Sequence, residues 1–154
     1  MKLSIITPAF NRKHCLENYF SKLSRLTNIN DCEILFVDDC STDGTYEYAE
    51  EHKQQFPNLR LFKTDVNSGA GVARNIGIKN ATGDYIAFLD SDDWFVEDAL
   101  EKLLKIAYEN PNENIIGGSI NSVDKTGKIL KSRIYGNRQT NFPFIDRHAT
   151  YQEC

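Results

Sequence analysis

The feature that most constrains this chain is an apolar run that ends in clustered acid. Tyr85 to Leu89 has the composition of a buried strand, and Asp90, Asp92 and Asp93 follow it directly. Like charges repel one another, and each carboxylate costs free energy to remove from water, so buried strands do not ordinarily end in this way. A divalent cation with a phosphate ligand would relieve that repulsion. The segment therefore predicts a metal-bound diphosphate site.

Strand-like and helix-like segments alternate along most of the chain. Strands are predicted at 2–7, 33–37, 59–62 and 85–89, and helices at 13–25, from 45 to about 55, from 71 to about 79, and at 96–107. Two further strands are predicted at 114–122 and 128–135, joined by a turn at 124–127, and no regular element is predicted for the last twenty residues. Such alternation is typical of a parallel α/β sheet with right-handed crossovers. The 154 residues fit a single domain.

Polar residues stand where three of the predicted strands end. Asn11, Asp39 and Asp92 follow the first, second and fourth strands, and Ser68 precedes the third helix. Ligands of parallel α/β sheets bind beyond the carboxyl ends of the strands. The four residues are therefore predicted to converge on one edge of the sheet.

The acidic motifs allow two interpretations each. Asp90 and Asp92 supply hard oxygen ligands that suit Mg²⁺ or Mn²⁺, or else Asp92 or Asp93 caps a helix that begins near Phe95. Asp38 and Asp39 end the second strand. In one interpretation, one of these carboxylates accepts hydrogen bonds from a nucleobase N–H or a ribose hydroxyl. In the other, the segment is only a capped turn.

The glycine-containing segment Gly69-Ala70-Gly71 does not match the known phosphate-binding fingerprints. Arg74 stands where a dinucleotide fingerprint needs its third glycine, and the chain has no P-loop motif. The glycines instead favour close approach of the backbone to a ligand or to the sheet. Arg74 is predicted either to bind a phosphate or base, or to be a solvated charge on the helix.

Composition narrows the possible partners and the compartment. A net charge of −4 argues against general nucleic-acid binding. No apolar run approaches the ~20 residues that cross a bilayer, and the N-terminus is not organised as a signal peptide. The four cysteines form no Cys-x-x-Cys pair, which predicts free thiols in a reducing cytoplasm. The predicted location is the cytoplasm, with peripheral association at the inner face of the membrane left open.

Four blocks of sequence together carry a resemblance to a known family. They are residues 4–11 (SIITPAFN), 37–45 (VDDCSTDGT), 67–75 (NSGAGVARN) and 83–93 (GDYIAFLDSDD). In this order and spacing they resemble the family 2 glycosyltransferases with the GT-A fold, a Rossmann-like, mostly parallel sheet flanked by helices. The resemblance is strongest over residues 2–108 and fades after Ser122.

The resemblance implies a binding site for a nucleotide-diphosphate sugar. The segment that would line the base and ribose pocket comprises Thr7, Pro8, Ala9, Phe10 and Asn11. The carboxylate of Asp39, beside Asp38, would hydrogen-bond the base, which is usually uracil. The segment that would close over the nucleotide contains Gly69, Arg74 and Asn75. Asp90 and Ser91 would hold the ribose, and Asp92, with Asp90, would bind Mn²⁺ or Mg²⁺.

The resemblance also implies a reaction. Family members transfer the sugar to an acceptor hydroxyl with inversion, in one displacement, and a carboxylate base deprotonates the acceptor. In the family that base lies in the acceptor-binding half. In this chain no Glu-Asp pair that could supply it follows residue 124. The catalytic base is therefore unassigned. The chain is expected to be the N-terminal donor-binding portion of a longer enzyme that adds sugars to a sugar or lipid-linked acceptor, in polysaccharide or glycoconjugate biosynthesis.

Two other functions remain open at this point. A non-catalytic nucleotide-sugar-binding module would bind the donor without transferring or hydrolysing it. A sugar nucleotidyltransferase would need a basic, glycine-rich loop after the first strand, and Pro8 to Asn11 does not supply one.

Overall fold

A four-stranded parallel sheet lies at the centre of the protein. The computed structural model describes residues 2–111, 118–124, 128–134 and 145–148. The strands of the sheet, in spatial order β3-β2-β1-β4, all run parallel to their neighbours. The strands are β1 Leu3–Ala9, β2 Glu33–Asp38, β3 Leu59–Lys63 and β4 Tyr85–Phe88, and the helices are α1 Lys13–Leu23, α2 Thr45–Glu51, α3 Ala70–Asn80 and α4 Ala99–Glu109. The predicted parallel α/β architecture is confirmed.

The two central strands are covered on both faces. Every residue of β1 and β2 is buried, which is the reason for their nearly unbroken apolar sequences. On one face α1 buries Leu16, Phe20 and Leu23, which recur at helical spacing. Phe20 stacks on His52, with ring centroids 4.2 Å apart, so this histidine is part of the packing.

The helix α3 approaches β1 closely because residue 77 has no side chain. A Cβ atom built on Gly77 would overlap the side chain of Ile6, which is fully buried. The glycine is therefore required by packing, although it lies inside a helix, where it costs about 1 kcal/mol relative to alanine.

The substitution Gly77→Ala is expected to lower the free energy of unfolding by about 2 kcal/mol, because it overpacks the contact with Ile6. Urea denaturation of the variant measures this. The matched control is Gly71→Ala in the same helix, where an added Cβ meets no atom within 4 Å. The control is expected to be neutral or slightly stabilising, and equal losses in both variants would contradict the packing argument.

A second, three-stranded sheet contains β5 Gly118–Val123, β6 Ile129–Ile134 and β7 Ile145–His148, in the order β6-β5-β7. The strand β5 pairs antiparallel with β6 and parallel with β7. The strands predicted at 114–122 and 128–135 overlap β5 and β6, while residues 112–117 and most of the predicted turn, 125–127, lie outside the described residues. The strand β7 has four residues, too few for a periodic sequence pattern, so no sequence signal predicted it.

The loop before α4 differs from the prediction. The helix begins at Ala99, and its N-cap position is Asp98. Asp93 N donates to Asp90 O at 3.0 Å in a turn, and Glu97 O accepts from Thr27 N at 2.9 Å, which ties the loop to the segment that follows α1. The interpretation of Asp92 or Asp93 as the helix cap is therefore wrong, because this loop separates them from the helix.

The remaining boundaries differ by a few residues. The helix α1 ends two residues before the predicted end, and α2 ends at Glu51 and continues as a 3-10 turn, His52–Gln54. Over the described ranges, no helix has the length and apolar character to cross a bilayer. Cys15, Cys32 and Cys40 carry free thiols, and Cys154 lies outside these ranges. The single domain and the cytoplasmic location stay predictions.

Candidate functional site

A cavity of about 410 Å³ lies at the carboxyl edge of the parallel sheet. Its walls come from the end of β1, from the segments after β1, β2 and β4, and from the loop before α3 with the first part of that helix. The described residues that line it are Pro8, Ala9, Phe10, Arg12, Asp39, Asn67, Gly69, Ala70, Arg74, Asp90, Ser91, Asp92 and Asp93. Asp39 and Asp92, which are 53 positions apart in sequence, thus meet at one site, as the rule for parallel sheets predicts.

Asp39 holds the loop that leads into α3. Its side chain is buried, and it accepts hydrogen bonds from Thr64 Oγ1 at 2.8 Å, from Ser68 N at 3.0 Å and from Gly69 N at 2.6 Å. Burial acts to raise the pKa of Asp39, but the hydrogen bonds from Ser68, Thr64 and Gly69 outweigh it and lower the pKa. Anchoring this loop is the role that the geometry shows, and the predicted contact with a base stays a prediction.

Gly69 allows the sharp entry into α3. Its φ of 87° and ψ of 158° lie in a region that is nearly restricted to glycine. This backbone aims the Gly69 N–H at Asp39 and places Arg74 one turn into the helix, on the cavity wall. There Arg74 Nη2 lies 2.6 Å from Asp90 Oδ1. The guanidinium is thus paired with the acidic loop after β4, residues 90–93, and is not simply a solvated charge.

The acidic loop after β4 is as crowded as its sequence predicts. The pKa of Asp93 is raised to about 7, first by burial and then by the negative charges of Asp92 and Asp90. Arg12 Nε lies 3.9 Å from Asp92 Oδ2, so each of the two arginines is paired with a different aspartate of the loop. Negative charge is therefore in excess here, even with both arginines in place.

The loop fits a metal ion only when phosphate oxygens complete the coordination. In the part of the chain that the structure describes, no three His, Cys, Asp or Glu side chains are grouped to hold an ion by themselves. Mg²⁺ is usually bound by one or two carboxylates together with substrate phosphates and water. Asp90 and Asp92 are consistent with such a shared site, and after burial their negative charges are the next cause of the raised pKa of Asp93.

Four of the predicted site residues are not among the described residues that line the cavity. The Thr7 side chain is buried, and its hydroxyl lies 2.7 Å from Tyr19 OH, because the alternation of β1 turns it toward α1. Asn11 Oδ1 accepts from Thr42 N at 2.9 Å. The remaining two are Asp38, which is buried and accepts from Ser41 N at 3.1 Å, and Asn75, which is exposed on α3. Of these contacts, the one between Asn11 and Thr42 joins the loops that follow β1 and β2.

Four cavity residues were absent from the sequence-based set of ligands, namely Arg12, Asn67, Ala70 and Asp93. Asn67 and Ala70 flank predicted residues within one of the four matching blocks, so their proximity was a usable signal. Arg12 directly follows Asn11 at the end of the first strand, where the same edge rule applies. A basic side chain at that position was the signal that could have identified it.

The fold and cavity define an α/β protein with a cavity at the carboxyl edge of a parallel sheet, the place where ligands of such sheets bind. The model of Glycosyl transferase family 2 matches residues 4–153. The chain therefore belongs to this family, and its architecture is the GT-A fold of the family's solved structures. The match continues well beyond Ser122, where the resemblance seen in the sequence fades.

Similar proteins include an uncharacterized glycosyltransferase of Haemophilus influenzae, 37% identical over 114 residues, which are 74% of this chain and 37% of that protein. The poly(ribitol-phosphate) beta-glucosyltransferase of Bacillus spizizenii is 35% identical over 119 residues, 76% of this chain and 19% of that protein. The crystal structure of S. aureus TarS 1-349 in complex with UDP-GlcNAc is 28% identical, with a TM-score of 0.68, over 81% of this chain and 35% of that one. The chain thus spans well under half the length of these relatives.

Proposed function

We propose that this chain is the donor-binding part of an inverting, metal-dependent glycosyltransferase that takes a UDP-sugar. The observation that carries the proposal is the single cavity that joins the Asp39-anchored loop, Arg74 and the acidic loop at Asp90 and Asp92. A nucleotide diphosphate has a polar base at one end and two phosphates at the other. The cavity offers polar loop backbone near Asp39 and cation-compatible carboxylates near Asp92.

The choice of a uridine nucleotide is supported by a relative. The TarS structure with a TM-score of 0.68 was solved in complex with UDP-GlcNAc. In this chain, Phe10 is 40% exposed at the cavity, and a half-exposed aromatic ring is suited to stack on a flat base.

Mn²⁺ or Mg²⁺ bound at Asp92 and Asp90 would act as a Lewis acid and stabilise negative charge on the departing diphosphate. Arg74 holds Asp90 in place at 2.6 Å. Ser91, between the two carboxylates, is buried. These residues position the acidic loop before any ligand arrives, so little reorganisation is needed on binding.

In the proposed reaction, an acceptor hydroxyl oxygen attacks the anomeric carbon of the sugar from the face opposite the diphosphate. The new C–O bond forms as the bond to the diphosphate breaks, and UDP leaves with that electron pair. The hydroxyl proton passes to a carboxylate base, which we place in the acceptor-binding portion of the full enzyme. Inversion follows because there is one displacement.

The acceptor is proposed to be a sugar or a lipid-linked glycan or polymer at the cytoplasmic face of the membrane. One relative is named as a poly(ribitol-phosphate) beta-glucosyltransferase, which supports a cell-surface polymer as the class of acceptor.

The direct test is a thermal-shift panel of UDP, GDP, CDP and dTDP, each with and without Mn²⁺ or Mg²⁺. A ligand at 100 times its dissociation constant stabilises the native state by about 2.7 kcal/mol, which for a chain of this size is roughly 8 °C in Tm. UDP with Mn²⁺ is expected to give the largest shift and UDP alone a smaller one. Equal shifts with and without metal would contradict the proposed metal site.

The same panel, with product analysis on a UDP-sugar, separates the rival functions. Binding without hydrolysis or transfer by the full-length protein would indicate a non-catalytic module. A sugar nucleotidyltransferase would instead make a sugar nucleotide from a nucleoside triphosphate and a sugar phosphate. The segment after β1 contributes one basic residue, Arg12, and no glycine to the cavity, which disfavours that reaction.

A further inference from the structure

Two arginines are found among the described residues that line the cavity, and their ion pairs differ. Arg74 Nη2 lies 2.6 Å from Asp90 Oδ1, within charge-assisted hydrogen-bond distance. Arg12 Nε lies 3.9 Å from Asp92 Oδ2, beyond hydrogen-bond distance, and 43% of its side chain is exposed. An exposed pair at this separation is weak, so the guanidinium of Arg12 is easily drawn to a stronger anion.

The backbone at Arg12 is held firmly in spite of that exposed side chain. Arg12 N donates to Thr45 Oγ1 at 2.8 Å, and Asn11 N donates to Ser41 Oγ at 2.9 Å. Asn11 has a φ of 52°, in the left-handed region, and this turns the chain toward the cavity immediately before Arg12. The backbone of Arg12 is thus held in place, while its guanidinium can reorient within the cavity.

Charge balance gives the guanidinium a reason to reorient. Asp39 is occupied by hydrogen bonds from its own loop, and Asp90 by Arg74. A diphosphate that shares a cation with Asp92 would lie within reach of Arg12, whose planar fork matches two phosphate oxygens. The diphosphate also adds negative charge to an acidic cavity, which makes a second cationic partner favourable.

We propose that Arg12 binds the diphosphate of the nucleotide, exchanging its loose contact with Asp92 for phosphate oxygens. This inference rests on the proposed function, because it takes a nucleotide diphosphate as the ligand. The alternative is that Arg12 only neutralises Asp92 and never contacts the ligand.

The test is isothermal titration calorimetry of the whole chain with UDP and with uridine, in the presence of Mg²⁺ and again in EDTA. In Arg12→Gln, the affinity for UDP is expected to fall about tenfold in both buffers, the usual loss for one charge-assisted contact. The affinity for uridine is expected to stay within twofold, because uridine has no phosphate. Arg12→Lys keeps the charge and is expected to recover part of the loss.

The matched control is Arg25→Gln, which removes an exposed arginine next to α1 that does not line the cavity. It should leave both affinities unchanged. UDP affinity in Arg12→Gln within twofold of the wild type would overturn the inference, and so would equal losses for UDP and uridine, since these would indicate a general distortion of the site. Thermal denaturation of each variant verifies that it is folded.

The outcome also distinguishes this inference from the proposed function. If the wild-type protein binds UDP and the Arg12→Gln variant binds it equally well, only the role of Arg12 is wrong. If the wild-type protein binds neither UDP nor another nucleoside diphosphate, the proposed function fails, and the inference fails with it.

Discussion

Replacing Asp92 by alanine is expected to remove the metal-dependent part of UDP binding while leaving the protein folded. Asp92 lines the cavity and is 32% exposed, so its carboxylate is available to a bound ion. Loss of a hydrogen-bond partner of a metal ligand typically weakens metal binding by about 10- to 100-fold. Loss of one of two protein ligands should cost at least as much, so the metal-dependent affinity for UDP is expected to fall by about a hundredfold or more. Calorimetric titration of UDP with and without Mn²⁺ measures this.

The matched control for Asp92→Ala is Asp98→Ala. Asp98 is an exposed carboxylate that pairs with Lys102 at 2.8 Å and lies outside the cavity. Its removal should leave the metal effect unchanged. If Asp92→Ala retained the full difference between UDP with and without Mn²⁺, Asp92 would not be a ligand. The substitution removes the weak pair between Asp92 and Arg12, but it also removes the repulsion between Asp92 and Asp93. Because these two changes act in opposite directions, the unliganded Tm of Asp92→Ala should stay close to the wild-type value.

Replacing Asp39 by asparagine is expected to lower the free energy of unfolding by about 3 kcal/mol and to weaken UDP binding at least tenfold. The buried carboxylate accepts hydrogen bonds from Thr64, Ser68 and Gly69. An amide group at this position has one oxygen fewer and adds an N–H that faces other donors, so at least one partner loses its acceptor. The loop would then no longer hold the start of α3 in its position at the cavity. Urea denaturation and calorimetry measure the two effects.

Two controls and a pH series test the role of Asp39. Asp65→Asn removes an exposed carboxylate from the same loop and is expected to change stability by less than about 0.5 kcal/mol. Thr64→Val removes a single donor and should cost about 1 kcal/mol. Because the folded pKa of Asp39 is lowered, its stabilisation is complete above the unfolded value of about 3.9 and is lost as the pH falls through the folded pKa. The difference between wild type and Asp39→Asn should therefore narrow in acid, and a constant difference would contradict this account.

The order of elements could be predicted from the sequence because both main signals are local. An unbroken apolar run such as β2 identifies a strand covered on both faces, and helical spacing of Leu16, Phe20 and Leu23 identifies α1. The edge rule for parallel sheets then placed Asp39 and Asp92 at one site. These inferences needed only the chain order and the handedness of the crossovers.

Side-chain partners could not be predicted in the same way, because they depend on which distant segments come into contact. Glu33, in β2, is buried and accepts hydrogen bonds from Ser4 Oγ at 2.7 Å and Thr82 N at 2.8 Å, partners that no local pattern identifies. Thr7 lies in a matching block but faces the core. The helix α4 begins at Ala99, after the predicted start at Val96. The hydrogen bond from Thr27 N to Glu97 O in the loop before it is one that no local pattern reveals.

The sequence by itself determined the parallel α/β sheet and the acidic end of β4, because apolar periodicity and clustered charge act over a few neighbouring residues. The family was indicated by the resemblance of its four sequence blocks. Only the tertiary structure decided that Asp39 anchors the loop before α3, that Thr7 is turned away from the cavity, and that Arg12 stands beside Asp92. Those outcomes depend on the directions of side chains across separate strands and loops. Such directions are set by the packing of the whole sheet and its helices, which brings together residues far apart in the chain.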